Sequence, residues 1–349
     1  MKNSTISQRQ IAGYEKISFY RTELMGIATL WIMMFHAYEL KLNIPGLSFL
    51  KENGFAGVDM FIVLSGLGLY CSLQQSQNIR TYFTKRFWRI LPMYWCIVGA
   101  YSLWLRTQGR ISITIAAWNM STLYYWFDIP GCFNWYIPAL LLFYFLAPTT
   151  AKILNSIKRK DIFVFLMFPA SYFLYRGSML LDLHYMEDFI YRIPSFAIGL
   201  LLGYFVFSKT PLKNSHLTGW SVLAIAGFIL GLLKFNKTLY ISSCYPIAAC
   251  VVPILCFFVL ILEHIQLTWV HQFLNQLGKC SLEIYLINAI ITREFLNLSS
   301  FFEHDENHIL YYIVAYSFNV CLAILLNFWT TKVRSRLSGT TGRSSIKEH

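Results

Sequence analysis

The chain has 349 residues, of which 56% are hydrophobic and only 13% charged, and its mean hydropathy is +0.49. A soluble domain carries nearer a quarter charged residues, so a water-soluble globular fold is excluded and the bilayer is the chain's solvent. The net charge of +12 does not point to nucleic acid, because the lysines and arginines collect in alternate loops, as the positive-inside rule expects.

In chain order, residues 1–21 form a basic tail without the short apolar region and small-residue cleavage site of a signal peptide. Long apolar runs then recur, and each reads as a transmembrane helix: roughly 22–38, 55–73, 91–106, 134–151, 162–176, 190–208, 219–234, 243–263, 279–297 and 309–331. An eleventh stretch, 113–127, holds Trp118, Asn119, Tyr124, Tyr125 and Trp126. Its aromatic content suits an interfacial or re-entrant piece; as a span it would invert everything after it. With ten spans and an inner N-terminus, inner segments carry 20 lysines and arginines and outer segments 8.

The expectation is therefore an all-α integral membrane protein, a bundle of about ten transmembrane helices with both termini cytoplasmic. Its parts are a tail over 1–21, a membrane domain over 22–331 and a second tail over 332–349. The acidic residues Asp182, Glu187, Asp188, Glu303, Asp305 and Glu306 then lie outside. The eight cysteines show no metal-ligand spacing and read as small packing residues. Cys132 and Cys244 are the two placed near the outer face where a disulfide is conceivable.

Four sets of polar residues stand out against this apolar background. His36 closes the run ELMGIATLWIMMFH; an ionisable group in a span marks a functional site by default, and an imidazole moves protons near neutral pH. The competing reading is an interfacial residue or a hydrogen-bond donor to a neighbouring helix. Arg86 and Arg89 share a helix face in TKRFWRILPMYW, where their forks suit phosphate oxygens or simply satisfy topology. Asp59 in GVDMFIVLSG either orients an imidazole, holds a hydroxylated substrate, or caps a helix N-terminus. Arg192 falls within an apolar run and needs a partner, for which Glu187 and Asp188 are candidates; substrate binding and structural pairing both fit. Gly66 and Ser65 suit close helix packing, and Glu283 and Tyr285 suit packing and anchoring. Asp182, His184 and Tyr185 fall in an outer loop, and His216, His264, His271, His304, His308 and His349 read as ordinary surface residues.

Taken in order, these segments resemble the acyltransferase-3 family of integral membrane acyltransferases. The first helix ending in His36 is similar to that family's opening helix. GVDMFIVLSG is similar to its second-helix signature GVDxFFVLSG, and TKRFWRILPMYW to its arginine pair followed by Pro-x-Tyr-Trp. NWYIPALLLFYFLAP, RIPSFAIGLLLGYF and GKCSLEIYLIN resemble later elements, so the likeness runs from residue 20 to 331. The resemblance implies transfer of an acyl group, usually acetyl, from a cytoplasmic acyl-CoA to a hydroxyl of a cell-envelope glycan or lipid-linked saccharide. It implies His36 as the catalytic histidine and Arg86 and Arg89 as donor contacts. Asp59 is a further catalytic candidate, and Arg192, Glu187 and Asp188 are candidates for substrate binding. No bound cofactor or metal is expected; acetyl-CoA is a co-substrate and the bilayer a partner.

Three departures from the family pattern are present. A basic residue commonly stands eleven positions before the histidine, where this chain has Met25, with Arg21 one turn earlier as a substitute. The fourth-helix stretch Pro138 to Phe143 contains no acid, and Asn288 replaces a histidine in the ninth-helix motif. The expected function is a multi-pass O-acyltransferase of the cell membrane, with the bacterial plasma membrane as its expected home. A transporter or flippase, or a non-catalytic subunit of an envelope-assembly complex, is the alternative.

Overall fold

The computed structural model describes residues 13–38, 40, 44–76, 78–129, 134–235, 241–298 and 308–343. Cys132, Glu303, His304, Asp305, Glu306 and His349 lie outside the described residues. Every regular element among the described residues is helical. In order these are α1 (Glu15–Phe19), α2 (Arg21–Phe35), α3 (Pro45–Glu52), α4 (Ala56–Gln75), α5 (Ile79–Thr107) and α6 (Ile113–Ser121). A 3-10 turn over Tyr124–Phe127 precedes α7 (Tyr136–Ser156) and α8 (Lys160–Leu180). A second such turn, His184–Met186, leads into α9 (Glu187–Ile190), α10 (Ile193–Phe207), α11 (Asn214–Phe235), α12 (Cys244–His264), α13 (Thr268–Lys279), α14 (Ser281–Leu298) and α15 (His308–Arg343).

Local chemistry sets several boundaries. The Asn78 side chain accepts from the Thr81 amide at 2.7 Å and opens α5, and Ser112 does the same for Ile115 at 3.2 Å in α6. Pro45 and Pro194 sit in the first turns of α3 and α10, where the missing N–H costs nothing. The nine residues of α6 span about 13 Å, far short of a bilayer, so the aromatic stretch is a short outer helix bound to α5. The Trp95 indole donates to the Met120 carbonyl at 3.0 Å there.

Among the described residues, seven helices are long and apolar enough to cross a membrane: α4, α7, α8, the 184–207 segment ending in α10, α11, α12 and the 310–332 part of α15. The other three expected spans fall short for visible reasons. Helix α2 has only 15 residues. Helix α5 has 29 residues, about 44 Å, but its first turns carry Arg80, Lys85, Arg86 and Arg89. Helix α14 carries Glu283, Arg293 and Glu294.

Helices α4 and α10 form the centre and are mostly buried, whereas α8, α11 and α15 turn most of their apolar side chains outward. Phe173, Phe228 and Phe318 are exposed on those outer helices, as lipid-facing surfaces require. The central pair is the most extensive helix contact. A Cβ on Gly66 would meet the Gly199 Cα and the Phe196 carbonyl oxygen at 3.0 Å, so only small residues permit this approach. The stretch 264–279, expected as a loop, contains α13, which buries Leu274 and Leu277 against α2. Gly26 and Gly278 make that approach possible, because Cβ atoms there would overlap the Leu274 and Thr22 carbonyls.

The two ends of the bundle differ in charge. One gathers Arg21, Arg86, Lys158 and Lys213 and is tied by Lys16–Glu263 at 2.7 Å and Tyr70–Asn155 at 2.6 Å. The other holds His36, Asp59, Asn134 and Arg192. Enlarging Gly199 to Val should push α4 and α10 apart and cost about 1–3 kcal/mol, seen as a lower unfolding temperature in detergent. Gly177→Ala, which meets nothing within 4 Å, should leave stability unchanged or raise it slightly.

Candidate active site

Three arginines from two helices meet on α4 at the cation-rich end. The Arg21 Nε donates to the Leu64 carbonyl at 2.7 Å, and its guanidinium lies where a Cβ on Gly68 would stand, 2.7 Å from Nη2. Arg86 Nη2 reaches the Gly68 carbonyl at 3.4 Å, and its guanidinium lies 5.8 Å and 6.0 Å from the Tyr82 and Tyr144 ring centres. Arg89 stands close enough that Arg21 feels repulsion from both others. Among the described residues, no carboxylate comes within 4.0 Å of any of the three. The Arg86 Nε is buried without a hydrogen-bond partner among the described residues. Gathered cations with donors left over have the chemistry that suits an anion.

A cavity of about 50 Å³ lies within the bundle, lined by Arg89, Ser65, Tyr144, Tyr285, Met25 and Ile32 among others. His36 is not in its wall; it follows Ile32 by one turn, about 6 Å along the axis. There the half-buried imidazole caps the C-terminus of α2, and its Nδ1 lies 2.8 Å from the Ile32 carbonyl. A carbonyl oxygen only accepts, so Nδ1 carries the hydrogen and the neutral ring presents Nε2 as a proton acceptor.

Asp59 points away from this axis. Gly57 faces α2, where a Cβ would meet Ile32 Cγ1 at 2.8 Å. Two residues later the helix has turned, and Asp59 Oδ1 accepts from the Ser195 hydroxyl at 2.6 Å while Oδ2 lies 3.4 Å from Arg192 Nε. Asp59 is 0% and Arg192 3% exposed. Arg192 caps α10 at its junction with α9 rather than lying inside the helix, and also meets the Cys244 sulfur and the Trp135 ring. The partner of Arg192 is therefore Asp59, on another helix. Asp188 lies near enough to act on Arg192 by charge, and Glu187 accepts from the Tyr191 hydroxyl at 3.2 Å.

Sequence reasoning gave Tyr285 to packing and Ser65 to helix contact, but both line the cavity. The Tyr285 hydroxyl donates to Asn134 Oδ1 at 3.1 Å, and the Tyr124 hydroxyl donates to the Asn134 carbonyl. Asn134 Oδ1 also accepts from the Ile137 amide at 3.2 Å at the start of α7, but its tyrosine partners come from other segments and leave no local signature. Glu283 accepts from Asn327 at 2.9 Å, the packing role expected of it. Asn288 is buried and its Oδ1 finds no partner among the described residues. His184 pairs with Asp182 at 2.8 Å on the surface, and His271 approaches Glu23 at 3.7 Å.

The Asp59–Arg192 pair generates a clear stability prediction. Removing one member strands a buried charge and should cost about 3–5 kcal/mol, whereas Asp59→Leu with Arg192→Met should recover much of it. Unfolding temperatures of Asp59→Leu, Arg192→Met and the double variant in one detergent check this; a double variant that simply adds the two losses would contradict the pairing.

Comparison with curated proteins and with solved structures finds no match to the chain. A family model described as an acyltransferase domain matches residues 24–328. That match runs from the helix bearing His36 to the last membrane helix, and by it the chain belongs to the acyltransferase-3 family.

Proposed function

We propose that the chain transfers an acyl group, acetyl by expectation, from a cytoplasmic acyl-CoA to a hydroxyl of a cell-envelope glycan or lipid-linked saccharide. Its setting would be a ten-span bundle in the bacterial plasma membrane with both termini inside. The observation that carries the reading is the succession of three elements: arginines with no carboxylate beside them among the described residues, a cavity lined by Arg89 and Ile32, and a tautomer-fixed histidine one turn past Ile32. The arginines supply cations for the phosphates of coenzyme A. Arg21 belongs with Arg86 and Arg89 in this role and answers for the apolar Met25. The narrow, mostly apolar cavity receives the acyl end, which leaves the nucleotide end at the arginines.

At the far end, His36 Nε2 takes the proton of the acceptor hydroxyl as its oxygen bonds to the thioester carbonyl carbon. The carbon–sulfur bond then breaks, and the imidazolium returns the proton to the departing thiolate. The Nδ1–Ile32 hydrogen bond holds the ring in the tautomer this needs and supports the imidazolium when it forms. Asp59 is a positioning residue here: it holds α4 and does not touch the imidazole's bonded nitrogen. Arg192 and Asp188 belong to the same brace, and Glu187 holds Tyr191 beside it.

Purified protein in lipid, given labelled acetyl-CoA, tests the roles. His36→Ala should bind the donor normally while turnover falls about 10²–10⁴-fold. Arg86→Ala with Arg89→Ala should instead raise the donor KM by about tenfold or more, as expected from loss of charged hydrogen bonds. Unimpaired turnover by His36→Ala would remove the base, and a folded wild type that neither binds nor consumes acetyl-CoA would remove the donor.

A further inference from the structure

A second charged recess lies at the cation-rich end, between α8 and α11 and floored by α10. Its volume is about 540 Å³, within the ~300–1,000 Å³ usual for small-ligand pockets. It shares no lining residue with the cavity at Arg89. Its mouth carries Lys158, Arg159, Lys160 and Lys213 against one acid, Asp161. Arg159 and Asp161 neutralise each other through a two-pronged contact at 2.7 and 3.0 Å. The three lysines have no carboxylate within 4.0 Å among the described residues. Lys160 is held in place, donating to the Ile157 carbonyl at 2.7 Å and lying 4.6 Å from the Tyr204 ring centre.

Behind the lysines the wall becomes apolar through Phe165, Leu201 and Leu223. His216, read from sequence as an ordinary surface residue, stacks on Phe205 at 4.9 Å, and its Nδ1 is buried without a partner among the described residues. Cations at the rim of a membrane helix bundle with an apolar slot beneath match one chemistry, an anionic headgroup carrying hydrocarbon chains. Trp220 and Tyr204 at the same level are the aromatic residues expected at a headgroup boundary.

We infer that this groove binds an anionic phospholipid of the adjoining leaflet, with its phosphate on Lys158, Lys160 and Lys213 and a chain along the α8–α11 slot. The site stands apart from the acyl-transfer reading and does not depend on it.

Native mass spectrometry of the full chain, titrated with phosphatidylglycerol or phosphatidylcholine, tests it. Wild type should prefer phosphatidylglycerol by about tenfold, from the charge on three lysines. Lys160→Gln with Lys213→Gln should abolish that preference with an unchanged unfolding temperature. Lys209→Gln with Lys332→Gln, two lysines outside the groove, should keep it. Equal loss in both pairs would mean general surface charge and overturn the site, as would an unchanged preference in the groove variant. Displacement of the lipid by millimolar glycerol 3-phosphate or coenzyme A would equally overturn it, by showing a soluble-phosphate site.

Discussion

The rotation of α4 about its own axis is the constraint on which the rest of this molecule depends, and one buried ion pair fixes it. A carboxylate with no exposure is tolerable in a membrane interior only against a cation. Asp59 finds Arg192, with Ser195 satisfying its other oxygen. Gly66, two turns on, lies on the same face and lets α10 close. With that face committed to α10, Val58, Phe61 and Ser65 fall on the adjacent face and wall the cavity. A turn of 100° in α4 would carry the acid away from Arg192 and Ser65 away from the cavity. The ion pair thus sets which side of α4 lines the cavity.

The bundle treats its arginines in two opposite ways. Arg192 has a carboxylate, a sulfur and an aromatic face around it. Arg21 and Arg86 have only backbone carbonyls and tyrosine rings, and they repel each other and Arg89. Carbonyls orient a guanidinium but leave its charge unanswered. Clustering such groups costs stability unless an anion arrives from outside, and a ligand that supplies several negative charges gains what the fold forgoes. This contrast separates a structural arginine from a binding one more sharply than burial does.

Much of this was legible in the sequence, and the misses have physical causes. The apolar runs gave the helices, and the lysine and arginine bias separated the ends. The number of spans was not legible from hydropathy alone, since α2, α5 and α14 mix membrane-length helix with charge or brevity. Helix α13 was read as a loop because it is amphipathic and short, and only Gly26 and Gly278 betray its close fit on α2. The neighbouring acids Glu187 and Asp188 were the obvious partners for Arg192, yet the pair forms with Asp59, 133 positions away along the chain. Sequence distance hides such pairs, because helix packing brings together residues with no local signature. The contact of His216 with Phe205 was hidden for the same reason.

The absent basic residue at Met25 then has a structural counterpart. Arg21 and Met25 are four apart, so they share a stripe of α2 with Ile32 and, a turn beyond, His36. Moving the cation one turn toward the charged end leaves it on the same face, about 6 Å further from the histidine. The thioether of Met25 then lines the cavity where a guanidinium would otherwise stand. Arg21 is held in this position by the Leu64 carbonyl and by the bare Gly68 backbone. A larger residue at 68 would displace it. The cavity gains an apolar wall near its middle while the anion site gains a third cation at its mouth. On the proposed reading the shift sorts two chemistries, with the cations set together for phosphates and an uncharged cavity wall at Met25 for the acyl end.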